Sequence, residues 1–229
     1  MATNDFYNEE SPKNFEQKCP VVLVLDTSGS MAREPIKELN TGLQKFKEDC
    51  EKDIVTSNRL EVSIVTFNSE VKVNSTFRLL TDQEMPKLNA SGSTKLVDGV
   101  KRAIQVLETR KAWYKETGQT YYRPYIILIT DGYPDPDQDI DALAKTIAND
   151  IEKKHYNFWS FGVRGADMKI LEQITTGFKP LPIKGIEFSK FFKWLSSSMG
   201  TITKSKEGDV LQLAPKSEAE NPFQINIQV

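Results

Sequence analysis

Two short stretches constrain the fold more than anything else in the chain: Val21–Leu25 (VVLVL) and Tyr125–Thr130 (YIILIT). Both are almost unbroken apolar runs rather than alternating ones. A strand with one wet face alternates, whereas a strand covered on both faces does not. Such strands belong to a parallel sheet sandwiched between helices. The rest of the chain fits that plan. Pro35 opens a helix carried by Ile36, Leu39, Leu43 and Phe46. Leu60–Phe67 reads as a second strand, and Val71–Phe77 alternates as its antiparallel edge partner. Thr94 starts a helical pattern through Leu96, Val100, Ile104 and Leu107. After Tyr125–Thr130, a helix carries Leu143, Ile147 and Ile151. Asn157–Val163 is a further strand, Leu171 and Ile174 mark a short helix, and Pro180–Ile183 is a last strand. Phe188, Phe191, Phe192, Leu195 and Met199 mark a final helix. The expected class is α/β, with a mainly parallel sheet, one antiparallel edge strand, and helices on both faces.

A chain of 229 residues with 38% apolar content can bury one sizeable core. The expected division is a polar arm over 1–18, the domain over 19–203 and a polar tail over 204–229. In that tail Phe223, Ile225, Ile227 and Val229 alternate like a strand. Net charge is −2 and no Lys/Arg block occurs, so no nucleic-acid partner is expected. No apolar run reaches the roughly 18–20 residues of a membrane span, so no membrane partner is expected either. The first residues, MATNDFYNEESPKNFEQ, lack the basic and apolar regions of a secretory signal, and the expected compartment is the cytoplasm. Cys19 and Cys50 lie where a strand start and a helix end meet; they are either bridged or two buried thiols.

The chemistry gathers where the apolar strands stop. In an open parallel sheet, ligands sit outside the carboxyl ends of the strands. The first strand ends in LDTSGS, with Asp26, Ser28 and Ser30, and Tyr125–Thr130 runs into Asp131 and Gly132. The stretch SGST puts Thr94 in a loop before a helix. Two carboxylates and three hydroxyls are thus candidates to meet at one mouth. All are oxygen donors, which suits Mg2+, Mn2+ or Ca2+, and two aspartates balance the ion's charge. Gly29 is read as the tight turn that lets Ser28 and Ser30 face inward while Thr27 faces away. Each member alone has a duller reading: Asp26 with Ser28 or Thr94 as helix caps, and Asp131–Gly132 as an ordinary turn.

The motif set DTSGS, Thr94 within SGST, and Thr130–Gly132 resembles the metal-ion-dependent adhesion site of von Willebrand factor type A domains. The likeness covers roughly Pro20 to Met199. LDTSGSM-x3-PI-x2-LN-x-GL, SGST, GADMKILEQIT and FFKWLSSSM are similar to the bacterial tellurite-resistance-associated, TerY-like branch. The resemblance implies a Rossmann-like, doubly wound fold and a bound divalent cation, Mg2+ first and Ca2+ or Mn2+ as alternatives. It implies direct ligation by Ser28 and Ser30. Asp26 and Asp131 would ligate or hold metal-bound water, and Thr94 would be direct or water-bridged. It also implies a protein partner whose Glu or Asp fills the open position, and kinase and phosphatase partners in a stress response. Many relatives read GGT where this chain reads SGST, but the threonine is kept.

Two other readings stand beside it. A haloacid dehalogenase-like phosphatase also places an aspartate after a buried strand, but it needs a second aspartate where Ser28 stands. A structural module of the same family without metal-regulated binding is the other. A serine hydrolase lacks its GxSxG elbow, and His155, the single histidine, is expected at the far rim. No P-loop occurs. DPDQD (135–139) fails as a calcium loop at Ile140 and Thr146, and reads instead as the cap of the helix near Asp139. Trp194 falls off the apolar stripe of its helix and is a candidate exposed contact. Trp113, Tyr114, Tyr121 and Tyr122 form either a binding loop or a cover for a helix end.

Overall fold

The computed structural model describes residues 14–131, 133–163, 165–183, 188–206, 209–213 and 226–228. The first strand, β1 (Cys19–Asp26), is buried along its whole length, and the two sides of its apolar run enter different cores. Val21, Leu23 and Leu25 pack against α1 (Glu34–Glu51) and α6 (Phe188–Ile202). Val22 and Val24 pack on the other face, against α3 (Leu96–Thr117), α4 (Ile140–Glu152) and α5 (Met168–Ile174). A polar residue at any of these positions would sit dry, which is why the run is unbroken. The strand β4 (Tyr125–Thr130) divides in the same way: Ile127 and Ile129 on one face, Ile126 and Leu128 on the other.

The six-stranded sheet has the order β3-β2-β1-β4-β5-β6, with β2 (Leu60–Phe67), β3 (Val71–Leu79), β5 (Asn157–Val163) and β6 (Leu181–Ile183). All neighbours are parallel except β2 and β3. The expected α/β class and antiparallel edge are therefore observed. The chain winds outward from β1 to β3, then returns and winds the other way from β4. The order reverses between β1 and β4, and a crevice opens at the carboxyl ends of that pair.

Several elements depart from the sequence reading. A helix α2 (Ile54–Arg59) was not expected; Asp53 caps it by accepting from the Val55 and Thr56 N–H groups. The α3 helix starts at Leu96 rather than Thr94, and it runs to Thr117, where Gly118 closes it in the left-handed conformation. The last sheet strand begins at Leu181, one residue after Pro180. Trp194 is buried, not exposed: its indole N–H donates to the Leu213 carbonyl at 3.0 Å, and its ring meets Trp159, Phe161 and Phe191. Trp113, Tyr114 and Tyr122 are buried and Tyr114 stacks on Tyr121 at 4.7 Å, so this stretch covers the end of α3. Asn226–Gln228 (β8) pairs antiparallel with Val210–Gln212 (β7) as a separate ribbon. Of the alternating tail residues, Phe223, Ile225 and Val229 lie outside the described residues. Cys19 and Cys50 are free, buried thiols, and burial pushes Cys19 up to about 12. No helix among the described residues is long and apolar enough to cross a membrane.

Candidate functional site

The end of β1 presents Asp26 with no exposure to solvent. One carboxylate oxygen accepts from the Ser28 N–H at 2.8 Å, and the other accepts from the Thr130 hydroxyl at 2.6 Å. Asp26 is thereby held from both strands of the switch point. After Ser28 the chain makes a 3-10 turn, Gly29–Met31. That turn brings the Ser28 and Ser30 hydroxyls 3.0 Å apart. Thr27 faces the other way, as expected: its hydroxyl and N–H both donate to the Phe67 carbonyl, at 3.1 and 2.8 Å. Gly29 is needed for a reason other than backbone freedom. Its N–H donates to the Gly92 carbonyl at 2.9 Å, and a Cβ there would lie 3.2 Å from that same oxygen.

Asp131 directly follows β4, the neighbouring strand. Its Oδ1 is buried and has no hydrogen-bond partner among the described residues. An orphaned carboxylate oxygen in a dry site is costly. Burial pushes the Asp26 carboxyl up to about 6, and the charge of Asp131 pushes in the same direction. Hydrogen bonds from Ser28 and Thr130 oppose them. The two acids thus repel at the mouth of the crevice. Thr94 is at the same rim and buried, but no hydrogen bond joins its hydroxyl to the other four side chains among the described residues. Its backbone carries the link: the Thr94 N–H donates to Asp135 Oδ1 at 3.0 Å, and the Asp135 N–H donates back to the Thr94 carbonyl at 3.0 Å.

This donor set fits a hard cation. No three His, Cys, Asp or Glu side chains cluster among the described residues. A cation here would rely on two carboxylates and neighbouring hydroxyls, the ligand chemistry of Mg2+ or Ca2+ rather than of zinc.

A profile of the von Willebrand factor type A domain matches residues 21–187, well over half the chain. The chain belongs to the von Willebrand factor type A (VWA) family. It is a family of protein-interaction modules. Solved structures repeat the fold. The vWF domain of the type V pili tip protein Mfa5 from Porphyromonas gingivalis superposes with a TM-score of 0.62 at 13% identity, covering 84% of this chain and 98% of that one. The pilus adhesin SpaC from Lactobacillus rhamnosus GG gives 0.64 at 12%, covering 82% and 31%. Proximal thread matrix protein 1 from the mussel byssus gives 0.59 at 14%, covering 80% and 46%. The chain thus spans less than half of the latter two. No curated protein sequence matches it.

In this VWA domain hydrogen bonds join Asp26, Ser28 and Ser30 at the end of β1, Asp131 after β4 lies close enough for its charge to act on Asp26, and the loop that carries Thr94 is bonded to the loop after β1. Four supporting residues escaped the sequence reading. Thr130, read there only as part of its strand and the TDG motif, orients Asp26. Gly92 has φ +77°, and a Cβ there would strike the Ser69 hydroxyl at 2.4 Å, so only glycine fits beside Gly29. Asp135 holds the Thr94 N–H, and that N–H keeps its carboxyl below the usual range. Gln138 accepts from the Val97 and Asp98 N–H groups, capping α3 from a distant loop. The stretch 135–139 therefore caps two helices, since Asp139 also accepts from Ala142 N–H on α4. His155 lies between α4 and β5, half-exposed, 3.6 Å from Asp150 and away from these residues.

Proposed function

We propose that this VWA domain, spanning about 19–203 between two polar arms, is a metal-dependent protein-binding module. Asp26, Ser28, Ser30, Thr94 and Asp131 hold a divalent cation, Mg2+ first, with Ca2+ or Mn2+ as alternatives. A partner's Glu or Asp completes the coordination. The observation that carries this reading is the buried Asp26 within reach of the Asp131 charge, with Asp131 Oδ1 unpartnered among the described residues and the Ser28 and Ser30 hydroxyls 3.0 Å apart on the loop after β1. A cation would relieve the repulsion and fill the empty acceptor. The module binds without catalysis: the second acid a phosphatase of the haloacid dehalogenase type needs is replaced by Ser28. A cytoplasmic bacterial stress-response complex with kinase and phosphatase partners is the setting we propose. It rests on the motif likeness to the TerY-like branch alone.

Thermal unfolding with and without Mg2+ tests it. At an ion concentration near 100 times its Kd, binding stabilises by about 2.7 kcal/mol. For a chain of this length that raises Tm by about 5–10 °C. Ser28→Ala removes one hydroxyl and should abolish the rise. An unchanged wild-type Tm in millimolar Mg2+, Ca2+ and Mn2+ would refute the reading. Phosphomonoester turnover lost in Asp26→Asn would replace binding by catalysis. Partner capture indifferent to chelator would leave a structural module.

A further inference from the structure

Two residues flanking the candidate site stand out: one carries backbone strain, and the other leaves an aromatic ring exposed to water. Arg33 follows Ser30 by three positions and sits at φ 70°, ψ −118°. A side chain rarely adopts that backbone, and glycine would adopt it without strain. The turn from Ala32 into α1 requires the conformation but not an arginine. The Arg33 side chain is exposed and makes no capping hydrogen bond to the helix it precedes. Strain of this kind, kept next to a site, points to a use for the side chain. Tyr133 follows Asp131 by two positions and is 60% exposed, among the most exposed large hydrophobics of the described residues. Its ring is not loose: the hydroxyl donates to the Gly165 carbonyl at 3.2 Å, on the loop after β5. An exposed aromatic ring already held in place loses little entropy on binding.

Arg33 belongs to the loop after β1 and Tyr133 to the loop after β4, the neighbouring strands between which the sheet order reverses. Exposed Ser30 and Ser93 lie on the rim loops near them. Beyond Thr94 the rim turns acidic, with exposed Asp137 and Asp139. A long polyanion would be repelled there, so the added negative charge of a ligand must fall on the Arg33 side.

Resting on the metal-dependent reading above, we propose that the partner is a polypeptide segment with two carboxylates and one apolar side chain. The first carboxylate meets the cation, the second pairs with Arg33, and the apolar group lies on the Tyr133 ring. Arginine and tyrosine are among the side chains that most often dominate protein interfaces, and the loops after β1 and β4 each carry one. An arginine fork suits a carboxylate, which fixes the register of the segment over the ion.

The test uses the full chain in millimolar Mg2+ and short fluorescent peptides read by polarisation. One series carries a leucine and two glutamates at graded glycine spacings. The controls change one glutamate to glutamine or the leucine to glycine. At the best spacing, the second glutamate should improve wild-type binding about two- to fivefold, the range of an exposed ion pair. Arg33→Gly should erase that gain, leave the one-glutamate peptide bound as before, and raise Tm because the strain is relieved. Tyr133→Ala should weaken the leucine peptides about tenfold and leave the glycine controls unchanged. Both variants should keep the full Mg2+-induced rise in Tm. If that rise is present and no peptide binds, or the variants bind every peptide as wild type does, the proposed three-contact segment is wrong and the metal site stands. If wild type shows no rise in Tm, the metal site and this proposal fail together.

Discussion

Glu61 offers a measurable statement about what clamps the sheet to its helical layer. It is the second residue of β2 and is 3% exposed. Its carboxylate accepts from Arg110 Nε at 2.8 Å, Arg110 Nη2 at 2.7 Å and the Tyr114 hydroxyl at 2.5 Å. The Arg110 guanidinium lies 3.9 Å from the centre of the Trp113 ring, which shields the pair from water. In Glu61→Ala the guanidinium and the Tyr114 hydroxyl, both on α3, lose their acceptor inside a dry layer. Removing one member of a buried pair costs about 3–5 kcal/mol. Arg110 keeps 18% exposure of its side chain, so the lower end, about 3 kcal/mol, applies here. That corresponds to a Tm about 6–12 °C lower. Urea unfolding of Glu61→Ala, Arg110→Met and the double variant gives the coupling, expected at about 1.5–3 kcal/mol for charged hydrogen bonds. The Mg2+ response should survive, because Glu61 lies about 20 Å along β2 from the rim. A Glu61→Ala cost below about 1 kcal/mol, or a coupling near zero, would show that the triad is not a clamp.

Gly42→Ala should destabilise by about 1 kcal/mol or more, because overpacking outweighs the helix propensity gained. Its Cβ would fall 2.3 Å from Phe192 Cδ2, on a ring already placed between Phe46 and Phe191; a raised urea midpoint would contradict this. Asp53→Ala should cost about 1 kcal/mol at neutral pH through the lost cap of α2. The bond from Lys204, then the Thr56 N–H, depress the Asp53 carboxyl from 3.8 to about 2. A depressed acid stabilises above its unfolded value and loses that contribution as pH falls through its folded one. The gap between wild type and Asp53→Ala, followed by urea unfolding, should therefore narrow as pH drops from 3.8 to about 2; a constant gap would refute the charge's part in it.

Much of the architecture could be read from residues because both faces of the sheet are covered. Each central strand then writes itself as an apolar run, and Asp26 and Asp131 stand out as the residues that end two of them. What escaped has identifiable physical causes. The α2 helix is only six residues, IVTSNR, too short to show a period. The start of α3 moved from Thr94 to Leu96, where the N–H groups of Val97 and Asp98 are met by Gln138, some forty positions away and invisible to any local capping rule. Trp194 falls off the apolar stripe of α6, but the chain near Leu213 returns over it. The backbone of Arg33 could not be anticipated, since nothing in an arginine announces a positive φ.

The two hydrogen bonds between Thr94 and Asp135, with Gln138 seated on the first turn of α3, have a mechanical consequence. The loop that carries Thr94 is stitched to the loop that follows Asp131, so neither can slide without the other. A displacement of the stretch from Asp135 to Gln138 would have to break these bonds or carry with it the first turn of α3, a helix of 22 residues whose far end lies beside Tyr121. The mouth and the opposite side of the protein thus share a single stiff lever.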